Sequence, residues 1–233
     1  MVERFMVKSR SVAQQLIKDG IVYLNGNKAD KASISVSCED VIEIRGELPK
    51  FVGRGGYKLE AALNRFNIAL EGMVCVDVGA STGGFTDCML QNGASLVYAV
   101  DVGTNQLDST LRVDNRVVSL ENTDIRAARN FIKDKADFIG ADVSFISLKL
   151  VLPEIKELLK EQGQAVVLIK PQFEVGKKGL GKNGIVKNSA LREKTVEDIK
   201  SFAAALGFKV LGVIQSPITG GDGNIEYLMY LSA

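Results

Sequence analysis

The sequence predicts an α/β protein, with a mostly parallel sheet that ends in an antiparallel strand and a small α+β domain before it. From residue 57 onward, strand-like apolar runs alternate with helix-like segments, which is typical of parallel strands covered by helices on both faces. The last two strand-like runs, 209–215 and 226–231, follow each other without a helix. This ending predicts an antiparallel hairpin at one edge of the sheet.

The composition is that of an ordinary globular protein. Its 233 residues, 46% hydrophobic and 24% charged, suffice for one medium domain and a small one. No apolar run approaches the ~18 residues of a membrane span, and charges interrupt any signal-peptide core at the N-terminus. Cys38, Cys75 and Cys88 lack CxxC spacing, so we expect reduced thiols of a cytoplasmic protein.

The chain contains no histidine. This excludes a Ser-His triad, histidine metal sites and imidazole acid–base catalysis. Any proton transfer would use lysine, aspartate, glutamate, tyrosine or cysteine.

The small N-terminal domain is expected to span residues 1–46. A helix over 9–18, capped by Ser9 or Ser11, carries an apolar stripe, and short strands follow at 21–24 and 41–44. Four glycines and a proline between 45 and 56 mark a break in composition. Residues 47–56 are therefore predicted to be a linker and residues 57–233 the second domain.

The second domain is expected to begin with a helix over 57–66. Its strands are predicted to begin near residues 74, 96, 117, 136 and 164, before the closing pair. Helices are predicted over 83–93, 147–160 and 189–206.

Residues 76–85, Val-Asp-Val-Gly-Ala-Ser-Thr-Gly-Gly-Phe, join a strand to a helix through a glycine-rich turn. Such a turn brings the backbone close to a ligand and presents a helix N-terminus to an anionic group. The spacing is not that of the dinucleotide fingerprint, and no Lys-Ser or Lys-Thr follows as in a P-loop. Asp101, at the end of the next strand, is an acid placed to bind ribose hydroxyls. These features fit any Rossmann-like ribose binder, and a purely structural turn is the alternative.

Charged residues stand at the ends of several predicted strands. Asp142 ends the fourth strand, Lys170 ends the fifth, Glu226 enters the last, and Lys58 opens the first helix. Because ligands bind at the carboxyl ends of parallel strands, we expect these two lysines and two carboxylates to converge there. Such a group can orient a hydroxyl and accept its proton. A pair of structural salt bridges is the alternative.

Basic residues cluster in two regions. Residues 1–31 hold six basic and three acidic groups, and residues 170–187 hold five lysines and one glutamate. Local basic patches are used for phosphate binding, although lysine-rich faces are also commonly just solvated.

Residues 9–20, Ser-Arg-Ser-Val-Ala-Gln-Gln-Leu-Ile-Lys-Asp-Gly, and 22–26, Val-Tyr-Leu-Asn-Gly, resemble the S4 RNA-binding domain, with its first helical part expected to be abbreviated. That family places a basic helix and the following turn against structured RNA. The resemblance implies RNA contacts from matched positions, which are Lys8, Arg10, Gln14 and Lys18.

The second domain resembles the class I methyltransferases, whose Rossmann-like sheet appends one antiparallel strand. The order Lys58, Asp142, Lys170 and Glu226 is similar to the tetrad of FtsJ-like RNA 2′-O-methyltransferases. More narrowly, segments 54–59, 77–85, 141–147, 170–176 and 223–227 resemble the TlyA family, in which an S4 domain precedes an FtsJ-like domain. Many members of that family carry the name hemolysin.

The resemblance implies an enzyme that uses S-adenosylmethionine to methylate cytidine ribose 2′-hydroxyls in ribosomal RNA, without a metal ion. Lys170 would orient the hydroxyl or accept its proton, and Asp142 would be its partner. Lys58 and Glu226 would position the ribose or tune Lys170. The residues expected to contact the cofactor are Asp77, Gly79, Ala80, Ser81, Thr82, Gly83, Gly84, Phe85, Asp101, Val102 and Asp124.

The glycine- and lysine-rich segment 177–182 is expected to be a mobile flap that contacts RNA, and a plain disordered loop is the alternative. Lys177, Lys178 and Lys182 in this flap, together with Arg54, complete the expected RNA-binding set. Two other functions are conceivable: a non-catalytic RNA-binding assembly factor that has kept the pocket, and a membrane-active hemolysin. The second would need a membrane-inserting helix or amphipathic hairpin, which the sequence does not contain.

Overall fold

The computed structural model describes residues 1–4, 6–7 and 10–233, apart from the side chains of Ser11, Lys178 and Lys182. A small N-terminal domain precedes a larger domain built on a seven-stranded sheet. The predicted fold class is confirmed. In the part of the chain so described, no helix combines the length and the apolar character needed to cross a membrane.

The N-terminal domain packs one helix on a three-stranded antiparallel sheet with the order β2-β1-β3. Its buried core contains Val7, Leu16, Val22 and Ala29. The proposed helix cap Ser9 lies outside the described residues. The elements of this domain are α1 (Arg10–Lys18), β1 (Val22–Leu24), β2 (Asn27–Lys28) and β3 (Ile42–Ile44).

The larger domain has strand order β6-β5-β4-β7-β8-β10-β9. The first five strands in this order are parallel, and β10 is antiparallel to both of its neighbours. The strands are β4 (Val74–Val78), β5 (Leu96–Val100), β6 (Val117–Leu120), β7 (Ala136–Ala141), β8 (Leu159–Ile169), β9 (Lys209–Gln215) and β10 (Tyr227–Ser232).

Helices cover both faces of this sheet. They are α2 (Gly55–Phe66), α3 (Gly84–Gln91), α4 (Ser109–Arg112), α5 (Ile125–Ala128), α6 (Leu148–Leu158), α7 (Pro171–Glu174) and α8 (Ser189–Ala205), with short 3-10 turns at Lys177–Gly179 and Lys182–Gly184.

Two apolar cores lie on opposite faces of the sheet, because successive strand residues point to opposite sides. On β4, Val76 and Val78 belong to the core beneath α5, α6 and α8, whereas Cys75 belongs to the core beneath α2 and α3. The buried Asp77 lies on the same side as Cys75. The central strands are therefore buried on both faces, and polar groups become accessible only where the strands end.

The structure differs from the sequence prediction at the expected linker, residues 47–56. Gly55 and Gly56 form the first turn of α2, and Phe51 is buried in the core shared with α2 and α3. The glycines here permit close packing: a Cβ on Gly84 would lie 2.9 Å from the backbone nitrogen of Gly56. The end of the predicted linker is thus part of the larger domain.

The fifth strand of the domain also begins earlier than residue 164. β8 starts at Leu159, directly after α6, and its pairing with β7 shifts register between Ala136 and Phe138. Gln162, with φ of 65°, lies in the irregular part of the strand. The first part of β8 was not predicted, because polar residues and Gly163 separate Leu159 from the apolar run that continues to Ile169.

Candidate active site

The glycine-rich turn between β4 and α3 lies at the carboxyl edge of the sheet. Gly79 has φ of +83°, and a Cβ there would lie 2.7 Å from the carbonyl oxygen of Asp142. Only glycine fits this close approach without strain. The N–H groups of Gly84 and Phe85, the first two of α3, have no acceptor within the helix and can bind a ligand, whereas the N–H of Thr86 is bonded to Asp77.

Asp101 holds the turn in place. Its two carboxylate oxygens accept hydrogen bonds from the backbone N–H groups of Ser81 and Gly103, each at 2.7 Å. Beyond the end of β6, Asp124 caps α5 and forms an ion pair with Arg126. Hydrogen bonds from Arg126 lower the pKa of Asp124 to about 2, so this carboxylate stays ionised at neutral pH.

Two adjoining cavities form one crevice along this edge, because Gly79, Ser81, Asp142 and Ser144 line both of them. The smaller cavity, about 260 Å³, is also lined by Arg54, Lys58, Asp77, Thr82, Phe85 and Lys170. The larger, about 470 Å³, is also lined by Asp101, Val102, Gln106, Asp124, Phe145 and Ile146.

The four charged residues predicted to converge lie together in and beside the smaller cavity. Lys58 Nζ is 2.7 Å from Glu226 Oε2 and 3.4 Å from Asp142 Oδ2. Lys170 Nζ is 2.5 Å from Asp142 Oδ1. Asp142 therefore lies between the two lysines, and the cluster has no net charge when all four groups are ionised.

This cluster is largely shielded from solvent. The side chains of Lys58 and Lys170 are each 10% exposed, that of Asp142 is 18% exposed and that of Glu226 is 2% exposed. Low solvent exposure strengthens the electrostatic attraction within the cluster and its effect on a bound hydroxyl. The arrangement can hold a hydroxyl group and accept a proton from it.

Asp77 lies beneath the turn and is fully buried. Its Oδ2 accepts hydrogen bonds from the backbone N–H and the hydroxyl of Thr86. Burial raises the pKa of Asp77 to about 7, opposed by the two bonds from Thr86 and reinforced by the charge of Asp142. Its Oδ1 makes no hydrogen bond within the described part of the chain, although the residue lines the smaller cavity.

Two other predicted cofactor residues face the protein interior. Gly83 does not line either cavity, and a Cβ there would meet Leu107 and Leu111, so its φ of +94° serves the turn itself. Phe85 lines the smaller cavity and is also 3% exposed within the core.

Sequence reasoning did not single out Ser144 as a site residue. Its hydroxyl oxygen accepts a hydrogen bond from Lys170 Nζ at 2.8 Å. The sequence spacing could have indicated this residue: Ser144 follows Asp142 by two residues, and residues so spaced lie on the same side of an extended chain.

The residues predicted to contact RNA lie in separate parts of the molecule. Arg10, Gln14 and Lys18 are exposed and, at intervals of four residues, share one face of α1. Arg54 is exposed and lines the smaller cavity, and Lys177 is exposed on the loop after α7. Lys8 and the side chains of Lys178 and Lys182 lie outside the described residues.

Comparison with known proteins gives the family. Residues 51–233 match the family model described as FtsJ-like methyltransferase, and residues 1–42 match the S4 domain. The chain is 45% identical to YqxC of Bacillus subtilis, over 99% of this chain and 83% of that protein. It is 41% identical to TlyA of Mycobacterium tuberculosis, named as a 16S/23S rRNA (cytidine-2′-O)-methyltransferase, over 99% of this chain and 87% of that protein.

A solved structure agrees with these relatives. A protein from Streptococcus thermophilus that carries the name hemolysin is 47% identical and superimposes with a TM-score of 0.81, covering 97% of this chain and 84% of that one. Both family models, and relatives aligned along nearly the whole length, point the same way. The chain belongs to the TlyA family of methyltransferases, in which an S4 domain precedes an FtsJ-like methyltransferase domain.

Proposed function

We propose that this enzyme transfers a methyl group from S-adenosylmethionine to a ribose 2′-hydroxyl of ribosomal RNA, with cytidine as the modified nucleotide. The observation that carries the proposal is the contact of Asp142 with both Lys58 and Lys170 beside the glycine turn. The nucleotide is inferred from the name of the Mycobacterium tuberculosis relative, a 16S/23S rRNA (cytidine-2′-O)-methyltransferase. A ribosomal RNA substrate implies action in the cytoplasm.

The crevice has features that suit S-adenosylmethionine. Asp77 Oδ1 is a buried acceptor without a partner in the described chain, and it suits the ammonium group of the methionine part. Asp101 and Asp124 line the larger cavity and suit the hydroxyl and amino groups of an adenosine. The bare α-carbon of Gly79 lets the glycine turn lie directly against the backbone of Asp142, which brings the turn and the charge cluster together.

S-Adenosylmethionine, when bound, supplies a methyl group made electrophilic by a positively charged sulfur. The work left to the protein is mainly positioning and the removal of one proton. Lys170 Nζ, held by Asp142 and Ser144, is the group we assign to orient the ribose hydroxyl. To receive the hydroxyl proton, Lys170 would act as an uncharged amine, whose lone pair takes the proton and forms the ammonium. Lys58, held between Asp142 and Glu226, would fix the ribose from the other side.

RNA binding is assigned to two regions. The face of α1 that carries Arg10, Gln14 and Lys18 would bind phosphates of folded RNA, as the S4 match suggests. Arg54, exposed at the smaller cavity, would bind a phosphate next to the target ribose.

The proposal is tested by incubating ribosomal RNA and ribosomal subunits with the enzyme and S-adenosylmethionine carrying a labelled methyl group. Mass spectrometry of RNA fragments should locate the label as a 2′-O-methyl group on cytidine. Label on a base, or on the ribose of another nucleotide, would overturn the assigned substrate. Cofactor binding with no transfer to any ribosomal RNA would instead support the non-catalytic assembly factor.

A further inference from the structure

Asn224 lies two residues before Glu226 and is 2% exposed, yet it does not line the crevice. We propose that Asn224 is a positioning residue that holds the backbone of residues 184–187 beside the charge cluster, so that the lysine-bearing loop 177–187 is presented to RNA. The inference rests on the proposed function, because it concerns how the same site receives its RNA substrate.

The amide of Asn224 makes two hydrogen bonds to one segment of the loop. Its Oδ1 accepts from the backbone N–H of Val186 at 3.0 Å, and its Nδ2 donates to the carbonyl oxygen of Gly184 at 3.1 Å. A side-chain amide that pairs with both backbone groups replaces the ladder that a neighbouring strand would provide. Val186 is 2% exposed, so these bonds lie in a protected environment where their loss is costly.

The segment that carries Asn224 also carries part of the candidate active site. Asn224 accepts a backbone hydrogen bond from Gly220 at 2.9 Å, and Glu226, which holds Lys58, is two residues further on. A Cβ on Gly220 would lie 2.5 Å from Glu226 Oε1, so this turn folds directly against the carboxylate. One short stretch, 220–226, thus links the loop to the charge cluster.

A second side chain holds the same loop segment from α8. Arg192 Nη1 donates to the carbonyl oxygen of Val186 at 2.9 Å and to that of Lys187 at 2.8 Å. The backbone from 184 to 187 is therefore held from both sides, whereas Lys177 and Lys187 are exposed. A fixed backbone with exposed lysines suits phosphate binding, because less loop entropy is lost when RNA binds.

The central experiment compares Asn224→Ala with the wild type, and with Asn92→Ala, which loses a side-chain hydrogen bond to Cys88 O at the end of α3. Asn224→Ala should raise both the Kd and the KM for ribosomal RNA about tenfold, the factor expected when a buried pair of hydrogen bonds is lost. Its kcat and its affinity for S-adenosylmethionine should change less than about threefold. Asn92→Ala should leave all four values near those of the wild type.

A double-mutant cycle separates this role from general stabilisation. Replacing Lys177 and Lys187 by alanine should weaken RNA binding strongly in the wild type and distinctly less in Asn224→Ala, because the misplaced lysines contribute little. Equal losses in the two backgrounds, or an unchanged Kd in Asn224→Ala, would overturn the inference. If Asn224→Ala does not fold, Arg192→Met takes its place, with the same expected loss and the same overturning results.

Failure of this inference is distinct from failure of the proposed function. If the wild type neither binds nor methylates ribosomal RNA, the proposed function is wrong, and this inference fails with it. If the wild type methylates ribosomal RNA and the variants bind it normally, only the role of Asn224 is wrong.

Discussion

Glu226 Oε2 accepts a hydrogen bond from Lys58 Nζ at 2.7 Å, although the two residues are 168 positions apart in the sequence. The bond joins the segment that enters the last strand to the first helix of the methyltransferase domain. Glu226 is almost fully buried, and its partner Lys58 is 8% exposed. The pair therefore contributes to the fold as well as to the candidate active site.

Replacing Glu226 should show how much its bond to Lys58 stabilises the fold. Glu226→Ala leaves the buried Lys58 with the more distant carboxylate of Asp142, at 3.4 Å, and should lower the free energy of unfolding by about 2–4 kcal/mol. Glu197→Ala, which removes an exposed partner of Lys200, should change it by less than about 1 kcal/mol. Urea titrations of the two variants measure both values. Equal decreases in the free energy of unfolding would mean that the buried Lys58–Glu226 pair stabilises the fold no more than an exposed ion pair does.

Lys170 should be required for methyl transfer and dispensable for cofactor binding. Lys170 Nζ contacts Asp142 Oδ1 and is the group assigned to receive the hydroxyl proton, so its loss removes the proton acceptor. Lys170→Ala should lower kcat by about 10²-fold or more, with the S-adenosylmethionine Kd within about threefold of the wild type. Single-turnover transfer and calorimetry provide the two measurements. Near-normal methyl transfer by Lys170→Ala would mean that Lys170 is not the proton acceptor.

The convergence of Asp142 and Lys170 was predictable from sequence for a simple reason. Both follow buried strands, and the carboxyl ends of parallel strands meet at one edge. Glu226 was predictable only through the antiparallel direction of the last strand, which enters the sheet at that same edge. These inferences need only the direction of each strand, which the alternation of strands and helices and the closing pair of strands indicate.

Other features of the site depend on contacts that a linear pattern does not contain. Glycines at 53–56 predicted a linker, whereas Gly55 and Gly56 begin α2 and let it approach α3 closely. Gly83 was grouped with the ligand-binding glycines, yet its α-carbon faces Leu107 and Leu111. A glycine has the same letter whether it faces a ligand, a helix or a side chain, so only the fold distinguishes these uses.

Gly79 should tolerate alanine far less well than Gly72. Both have positive φ, +83° and +72°, so both substitutions carry the backbone strain of about 1–2 kcal/mol expected for a left-handed conformation. Only Gly79 would also place a Cβ against the Asp142 carbonyl oxygen. Gly79→Ala should therefore weaken S-adenosylmethionine binding at least about tenfold more than Gly72→Ala does. Similar S-adenosylmethionine affinities of the two variants, measured by calorimetry, would show that cofactor binding does not need the close approach of Gly79 to Asp142.

Asp77 should make stability depend on pH. Burial raises its pKa to about 7 in the folded chain, from 3.8, the ordinary value of an aspartate in an unfolded chain. Between these values the folded state holds a proton that the unfolded state has released, so stability falls as pH rises, by up to about 1.4 kcal/mol per pH unit. Above about pH 7 the carboxyl is ionised in both states, and this contribution no longer changes.

Asp77→Asn isolates that contribution, because its amide oxygen can still accept the bonds from Thr86. Urea unfolding of wild type and variant should show the wild type losing stability relative to Asp77→Asn between pH 5 and pH 8. A difference that stays constant over this range would mean that Asp77 is ionised throughout.

The exposed face of α1 should account for a measurable part of the salt dependence of RNA binding. Arg10 and Lys18 lie on one face of this helix, and each phosphate contact that they make releases counterions when RNA binds. The double variant Arg10→Ala, Lys18→Ala should bind ribosomal RNA more weakly and reduce the slope of log K against log salt by about 2. Lys133→Ala with Lys135→Ala removes the same charge from an exposed segment before β7, at the opposite edge of the sheet from the crevice, and should leave the slope unchanged. Equal slopes in the two double variants would mean that net charge, and not the α1 face, governs RNA binding.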